Sequence, residues 1–532
     1  MMRTQSVVSV LCVFLMLAPI PGTAQSMAQH LTQPVGNLVG HFQWRPLPPA
    51  NLANSSRLET LIRAGSIYLS LQDTIALALE NNLDIELQRY ALRSVDADLL
   101  RARAGGGTVP SFDPTATFNY NWGHVTSPQT SSFTTGTSAL VNTTTAANFG
   151  LQQGFHTGTN VSFGWNNTLA KNNSGRSDFN PYTSANFTLQ ATQHLLQGFG
   201  LALNNRFIRI AKNNLKVSDL AFQQQVITTV STVIGLYWDL VSFTEDVKVK
   251  RQALALAEKL QGDNQKQVEI GTLAPIEVVR AEAQVASSQQ DLTVSETRVL
   301  QQETILKNAL SRTGVASPSV AEAHIVCMDQ IVVPDVEPVQ PIQDLISSAL
   351  AQRPELGQTN LQVENSKIAL AGYRSELKPT LDLVASLQNS GLAGQINTLP
   401  VPPVPGATGG TQVRNPNSVD PFFLGGYGTV MTQLLARNFP NYSIGFQLNI
   451  PLRNRLAQAD MIQNQLLLRQ QEIREQQLVN QIRLDVTNAL IGVQQARAGY
   501  LAAVKSRELQ EQTLSAEQKK YALGASTGFL VV

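Results

Sequence analysis

The chain has 532 residues with 39 basic and 38 acidic side chains, so its formal net charge is +1. A charge this balanced argues against a nucleic-acid-binding protein, and no block of basic residues indicates a membrane-surface patch. Charged residues make up 14% of the chain, against a typical value of roughly 25%, and Gln, Asn, Ser and Thr take their place. Beyond the N-terminus we find no run of the roughly 20 apolar residues that a transmembrane helix needs, so we do not expect a helical membrane protein.

The N-terminus has the features of a secretory signal peptide. Arg3 supplies a positive start, an apolar run extends from Val7 to Ile20, and Gly22 and Ala24 place small residues at a cleavage site. We therefore predict residues 1–24 as a signal peptide. Only Cys327 remains in the mature chain, so an internal disulfide is excluded and packing alone must stabilise the exported protein.

The chain repeats itself. Asp73 and the pair Ala78-Leu79 recur as Asp344 and Ala349-Leu350. Each copy begins with an amphipathic helix, continues into strand-like alternation, and then enters a long segment without proline that ends at a glycine. The sequence thus predicts the order helix, strands, long helix and turn, twice. We assign residues 25–66 to an N-terminal segment, 67–320 to the first repeat, 321–340 to a linker and 341–532 to the second repeat.

Between the first helix and the long helix of each repeat, apolar and polar residues alternate with the period of a strand. We predict strands within about 113–193, at about 379–389 and at about 441–451, each close to the roughly 9–11 residues of a tilted transmembrane strand. The residues predicted to face lipid are Phe118, Tyr120, Trp122, Phe187, Leu189, Leu381, Leu383, Tyr442, Ile444, Phe446 and Leu448. A soluble sandwich with this apolar face as its core is the alternative.

The number of strands stays open at this stage. Alternating runs around Thr157-Gly158-Thr159 could form an extra hairpin. The Ser/Thr-rich residues 127–145 and the Pro- and Gly-containing residues 389–441 are predicted to be exposed loops. Two strands in each repeat cannot close a sheet, so other subunits must satisfy the sheet edges.

Residues 201–270 and 454–523 are predicted to be long helices. Val226, Val230 and Val233 in the first, and Val479, Ile482 and Val486 in the second, follow the spacing of a heptad seam. About 70 residues at a rise of 1.5 Å give a rod of about 100 Å. The first rod and the residues that return from it form a predicted hairpin at about 200–312.

Motifs for catalysis or metal binding are scarce. The sequence has no HExxH motif and no phosphate-binding loop, and its six histidines are scattered. The GxSxG pattern at residues 524–528 follows a predicted helix, whereas a nucleophile elbow needs a strand before it and a helix after it. We predict no catalytic residue, no cofactor and no metal site.

Several segments together resemble the TolC family of outer-membrane efflux proteins. Residues 79–84 and 351–356 are similar to the paired segments that begin the two family repeats, and residues 442–452 are similar to the strand that leads into the second long helix. Residues 193–200 resemble the equivalent entry in the first half, with His194 where a proline is usual. Each match is short, but their order and duplication extend from about Ser70 to the C-terminus.

The resemblance implies an α+β fold, internally duplicated, in which three subunits share one transmembrane β-barrel, usually with four strands from each. Below it, long helices would form a helical barrel across the periplasm of a Gram-negative-type cell. The protein would be a homotrimeric passive duct in outer-membrane lipid and not an enzyme. It would meet a periplasmic adaptor (membrane fusion) protein and, through it, an inner-membrane pump.

The resemblance also implies where the adaptor binds. The adaptor-contacting hairpin tips would be Ile270, Gly271, Thr272, Leu273, Leu523, Gly524, Ala525 and Ser526. The alternative is that both glycines only supply the backbone freedom of a turn that ends a helix. The chain stops at Val532, aligned with Val279, so the sequence predicts that the final helix of the second repeat is missing.

The functional prediction is an outer-membrane channel component of a tripartite efflux or type I secretion system. One alternative is a secreted coiled-coil scaffold without channel activity, and another is a truncated, non-functional member of the family.

Overall fold

A computed structural model describes residues 47–106, 111–334, 341–401, 410, 412 and 414–523. The chain divides into two units, Met1–Ala53 and Asn54–Val532, and all elements below belong to the second. The predicted signal peptide and the predicted tip residues Gly524, Ala525 and Ser526 lie outside the described residues.

In both halves two helices precede strands of the large sheet, and a long helix follows those strands. The helices and strands of the first half are α1 (Ser56–Leu61), β1 (Ile62–Arg63), β2 (Ser66–Leu69), α2 (Leu71–Asn81), α3 (Leu83–Arg103), β3 (Thr115–Pro128), α4 (Ser132–Thr135), β4 (Ala139–Gly154), β5 (Thr159–Asn172), β6 (Phe179–His194), α5 (Leu201–Asn204), α6 (Arg206–Glu269), α7 (Ile276–Leu310), α8 (Pro318–Ala321) and β7 (His324–Cys327). Those of the second half are α9 (Ile342–Gln352), α10 (Pro354–Glu376), β8 (Thr380–Ile396), α11 (Tyr427–Leu435), β9 (Pro440–Asn449) and α12 (Arg455–Ala522). This mixture of separate helices and strands confirms the predicted α+β class.

A small sheet of order β1-β2-β7 lies against the helices, with β2 parallel to β7. Ile67 and Leu69 of β2 pack with Leu77 of α2 and with Tyr237 and Leu240 of α6 in one buried cluster. Apolar residues three or four apart on each helix face the same side, which is why one stripe of α6 can cover this sheet.

The Asn-Asn pair at the end of α2 fixes the corner between α2 and α3. Asn82 caps α3, since its side-chain oxygen accepts hydrogen bonds from the backbone N–H groups of Asp84 and Ile85. Asn81 is fully buried, and its side-chain amide donates to the backbone oxygen of Leu310 at 3.0 Å. The pair therefore joins this corner to the end of α7.

The large sheet has the order β3-β4-β5-β6-β8-β9, and every neighbouring pair is antiparallel. Six strands among the described residues exceed the four that the resemblance implies. The extra hairpin is β4–β5, which turns at residues 155–158. The prediction of an exposed loop at 127–145 is wrong for residues 139–145, because its threonines are β-branched and favour a strand.

The second predicted loop is also partly ordered. β8 continues to Ile396, beyond the predicted end at about 389. Within residues 389–441, helix α11 buries Val430 and Leu434 against Ala185 and Ala393 of the sheet. Val430 and Leu434 are four residues apart and so share one helix face, a signal that the Pro- and Gly-rich surroundings obscured.

The long helices α6 and α12 have 64 and 68 residues, which corresponds to about 96 Å and about 102 Å at 1.5 Å per residue. They lie within the ranges that the heptad patterns predict. α6 returns through α7 as a helical hairpin, and α10 packs against both α6 and α12. In α12 the seam residue Ile482 is buried, whereas Val493 and Tyr500 are exposed.

Helix α6 corrects one expectation from the sequence. Within the described part of the chain, it contains a stretch that is long and apolar enough, by length and composition alone, to cross a membrane. Four of its apolar residues, Val233, Tyr237, Leu240 and Val241, are buried in the core that includes the small sheet.

Candidate functional site: a two-faced sheet and a helical tip

One face of the large sheet is apolar. Residues directly opposite each other on neighbouring strands point to the same face, so the pairing can be followed across the sheet. Phe118 lies opposite Phe149, Phe149 opposite Trp165, and Trp165 opposite Phe187. This row continues the apolar face from β3 to β6.

The same face continues through the second half of the chain. Leu189 lies opposite Leu387, and Leu387 lies opposite Tyr442. Because every second residue of a strand shares a face, all eleven residues predicted to face lipid lie on this one side of the sheet. The prediction missed Phe149, Leu151, Phe163 and Trp165, which belong to the same face; their alternation around Thr157-Gly158-Thr159 was the available signal.

The opposite face is polar and almost uncharged. Asn119, Asn148, Asn166 and Asn186 lie opposite one another in sequence across four strands. The side-chain nitrogen of Asn166 donates to the side-chain oxygen of Asn186 at 3.0 Å. Amide and hydroxyl side chains of this kind hydrogen-bond water without creating a strong electric field.

The polar face carries one carboxylate among the residues of the six strands. Asp382 of β8 lies opposite His194 of β6, and its Oδ1 is 2.7 Å from Nδ1 of the imidazole. His194, which stands where the resemblance implies a proline, is therefore paired with Asp382 across the sheet.

Helix α11 covers the apolar face at one end. Its Gln433 side-chain oxygen accepts a hydrogen bond from the backbone N–H of Leu392 at 2.9 Å. A Cβ added at Gly391 would lie 2.9 Å from the backbone oxygen of Val430. The helix thus lies directly on β8, and the apolar face is open only over the remaining length of the strands.

The tip of the α6–α7 hairpin ends in a Schellman motif. The N–H of Gly271 donates to Val268 O, and the N–H of Thr272 donates to Gln267 O, both at 2.9 Å. Gly271 has φ of 83°, a left-handed conformation that glycine adopts without steric cost. Ile270 is 76% exposed at this turn.

The other predicted tip residues differ in their surroundings. Thr272 is exposed and Leu273 is half-buried. Behind them, the buried Asn264 of α6 donates to the backbone oxygen of Glu277 on α7 at 3.4 Å, which links the two helices. Leu523 lies just after α12 and is 85% exposed, and it is the one residue of the second predicted tip that the structure describes.

A buried hydrogen-bond group joins α6 to the small sheet. The Tyr237 hydroxyl is 2.8 Å from Oδ2 of Asp329 and 3.1 Å from the Leu69 backbone oxygen, and it donates its single proton to the nearer carboxylate. The N–H of Leu71 donates to the same carboxylate oxygen at 2.7 Å. Burial and the hydrogen bond to Asp329 raise the pKa of Tyr237 above its usual range.

The thiol of Cys327 lies at the end of β7 beside this group. Burial, and then the negative charges of Glu303 and Asp329, raise the pKa of Cys327 to about 12. The thiol is therefore protonated at neutral pH and is a weak nucleophile. Within the described ranges, no three His, Cys, Asp or Glu side chains are grouped so that they could hold a metal ion.

Comparison with known proteins agrees with this geometry. The family model described as outer membrane efflux protein matches residues 158–312. The matched residues span β5, β6 and the α6–α7 hairpin, so the predicted tip from Ile270 to Leu273 lies within them. The predicted resemblance is confirmed.

Solved structures of outer-membrane and channel-forming proteins share the fold of this chain. The channel-forming protein CusC is 13% identical, with a TM-score of 0.55 over 92% of this chain and 91% of its own. The outer membrane protein VceC from Vibrio cholerae is 13% identical, with a TM-score of 0.55 over 87% and 88%. The CmeC outer membrane channel of Campylobacter jejuni is 15% identical, with a TM-score of 0.51 over 91% and 86%. No curated protein matches the sequence.

Proposed function

We propose that this protein is the outer-membrane channel component of a tripartite efflux or type I secretion system. Three copies would form a passive duct from the periplasm to the exterior, with the sheet in the outer membrane and the long helices in the periplasm. The observation that carries the proposal is the division of the large sheet into one apolar and one polar, nearly uncharged face.

A sheet with two such faces suits a barrel wall in lipid. The apolar face would contact hydrocarbon, and the amide- and hydroxyl-bearing face would line water. Every backbone N–H and C=O group must be paired inside a bilayer, so the sheet must close on itself or on further copies. The matched efflux domain and the similarity in fold to solved outer-membrane channels support this use of the sheet.

Two neighbouring residues of β9 provide a matched test. Phe446 and Gln447 are adjacent, both are exposed, and they point to opposite faces. Arginine on a lipid-facing barrel position costs about 2–4 kcal/mol at the bilayer midplane, whereas lumen positions tolerate the change. We expect F446R to lower the yield of heat-resistant trimer in the outer membrane and Q447R to leave it near the wild-type level.

Cell fractionation separates this proposal from a secreted scaffold. A channel requires detergent for extraction and runs as a heat-modifiable oligomer on a gel. Release of the wild-type chain from the periplasm without detergent would refute the channel and support the scaffold.

We further propose that the tip around Ile270 contacts a periplasmic adaptor. An exposed isoleucine at a hairpin end offers apolar surface that a partner could bury. I270D is expected to weaken cross-linking to the adaptor while the trimer yield stays unchanged. I270L should retain the cross-linking. Equal adaptor cross-linking by the aspartate variant would exclude this contact.

A further inference from the structure

Strands β3 and β9 form the two outer edges of the large sheet. In the described part of the chain, β3 pairs only with β4 and β9 pairs only with β8. The apolar side chains are most exposed at these edges: Tyr442 of β9 is 82% exposed, whereas Leu387, its neighbour on β8, is 38% exposed. Open edges of this kind cannot remain in hydrocarbon, so each of them must pair with a further strand edge, of the same chain or of another copy.

The two edges are complementary in direction and in face. Successive strands of the sheet alternate in direction, so β3 and β9 run oppositely and the β3 edge of one copy can pair antiparallel with the β9 edge of the next. Even-numbered residues of both strands lie on the apolar face. Only registers that pair even with even positions keep that face continuous across the join.

One register also matches the strand ends. If Thr115 lies opposite Asn449, then His124 lies opposite Pro440, and the whole of β9 is covered by residues 115–124 of β3. On the apolar face this register forms aromatic and β-branched cross-strand pairs, which stabilise sheets. These pairs are Phe118 with Phe446, Tyr120 with Ile444, and Trp122 with Tyr442.

We infer that three copies join β3 to β9 in this register and close a barrel of 18 strands. The inference rests on the proposed homotrimer. It departs from the 12-stranded barrel that four strands from each subunit would give, because the β4–β5 hairpin adds two strands to every copy.

The strand tilt gives an independent check of the register. Starting at Thr115, the directly opposite residues on successive strands are Gln152, Ser162, Gln190, Ser386 and Ser443. In the inferred register Ser443 lies opposite Asn121 of the next copy, six residues beyond Thr115. Three copies thus accumulate a stagger of about 18 residues over 18 strands, which at about 3.4 Å per residue and about 4.8 Å between strands corresponds to a tilt of about 35°.

Neighbouring registers fit less well. A stagger smaller by two residues per copy gives a tilt of about 25°, below the typical range of about 35–45°. A stagger larger by two residues leaves the start of β3 without a partner on β9.

The inferred barrel is wide. At the spacing and tilt above, 18 strands give a diameter of about 34 Å between backbones, whereas 12 strands give about 22 Å. Its lumen would be lined by amide and hydroxyl groups, with the Asp382–His194 pairs as ionisable side chains on the strands. The barrel itself would therefore exclude neither bulky solutes nor one sign of charge.

Disulfide cross-linking in the full-length chain tests the register. Asn121 and Ser443 lie on the polar face and are directly opposite in the inferred join, so N121C/S443C should form intermolecular disulfides under oxidation by copper phenanthroline. Because each copy contributes both edges, the largest covalent species should be a trimer. In N119C/S443C the two cysteines are displaced by two residues but belong to the same hydrogen-bonding class. This variant should form at least about tenfold less disulfide-linked product, because Cα atoms more than 7 Å apart do not bridge. Y120C/I444C repeats the test on the apolar face, where the pairs are of the other hydrogen-bonding class.

The outcomes distinguish the barrel size from the channel function. A covalent ladder that stops at the dimer would overturn the 18-stranded barrel and indicate 12 strands from two copies, with the outer-membrane channel intact. Preferred cross-linking of the displaced pair, or an intramolecular disulfide within one chain, would also overturn the inferred join. Heat-modifiable trimers in the outer membrane without any β3–β9 disulfide would refute this closure and leave the proposed function standing, whereas a soluble monomer would refute both. Variants with only one introduced cysteine, which also retain Cys327, measure the background of disulfide formation.

Discussion

Two glycines in the α6–α7 hairpin should respond oppositely to the same substitution. Gly262 lies within α6, and Gly271 lies at the turn with φ of 83°. A Cβ added at either position would meet no atom within 4 Å. The two sites therefore differ in backbone conformation and not in available space.

The expected magnitudes follow from this difference. Alanine is favoured over glycine inside a helix by about 0.5–1 kcal/mol, so G262A should stabilise the hairpin. A left-handed conformation costs a residue with a Cβ about 1–2 kcal/mol, so G271A should destabilise the tip. G271N should fall between glycine and alanine at this position, because asparagine visits the left-handed region more readily.

Hydrogen exchange followed by mass spectrometry measures this locally in the intact protein. Where opening is rapid and reversible, the exchange rate scales with the opening constant, and 1.4 kcal/mol corresponds to about tenfold. Peptides covering the hairpin tip should exchange about 5–30-fold faster in G271A and about 2–5-fold slower in G262A. Trimer yield on a gel is expected to be unchanged in both.

Equal exchange in the two alanine variants would refute the reasoning. It would mean that the turn does not hold Gly271 in the left-handed region, and that the Schellman hydrogen bonds do not define the tip.

Three further predictions concern the helical core. Y237F removes the hydrogen bond to the Asp329 carboxylate and should lower the free energy of unfolding by about 1.5–3 kcal/mol. Y68F, at a residue 41% exposed, should change it by less than about 0.5 kcal/mol. Thermal unfolding followed by circular dichroism in detergent compares the two variants, and equal midpoints would count against the buried hydrogen bond. The pKa of Cys327 is raised from 9.0 to about 12, so its thiol should be alkylated at pH 9 about 500-fold more slowly than a free thiol of pKa 9. Its contribution to stability should be present below pH 9 and be lost as the pH rises towards 12. Alkylation of the folded protein at the rate of a free thiol would contradict this prediction. N81A leaves the Leu310 carbonyl without its side-chain donor and should cost about 1–3 kcal/mol in the same unfolding assay, and an unchanged midpoint would show that the corner does not depend on this bond.

The predictable part of the fold came from periodicity. Spacing of three and four residues located the two long helices, because a helix repeats every 3.6 residues whatever its neighbours are. Alternation of apolar and polar residues predicts β3, β6, β8 and β9, and it places Phe118 and Tyr442 on the apolar faces of their strands. Residues 143–145 are predicted as part of a loop but lie in β4, because a run of threonines is typical of exposed loops and threonine is also β-branched, which favours a strand.

The sequence by itself determined which side chains belong together on one face, because alternation along a strand needs no knowledge of the neighbouring strand. It also determined that Gly271 ends a helix. Only the tertiary structure decided which strands are neighbours, that six of them form one sheet, and that Asp382 lies opposite His194. Pairing depends on residues far apart in the chain: β6 and β8 are separated by the whole α6–α7 hairpin. The alternation restricts the register to pairings that keep the apolar residues on one face, but it does not choose among those pairings.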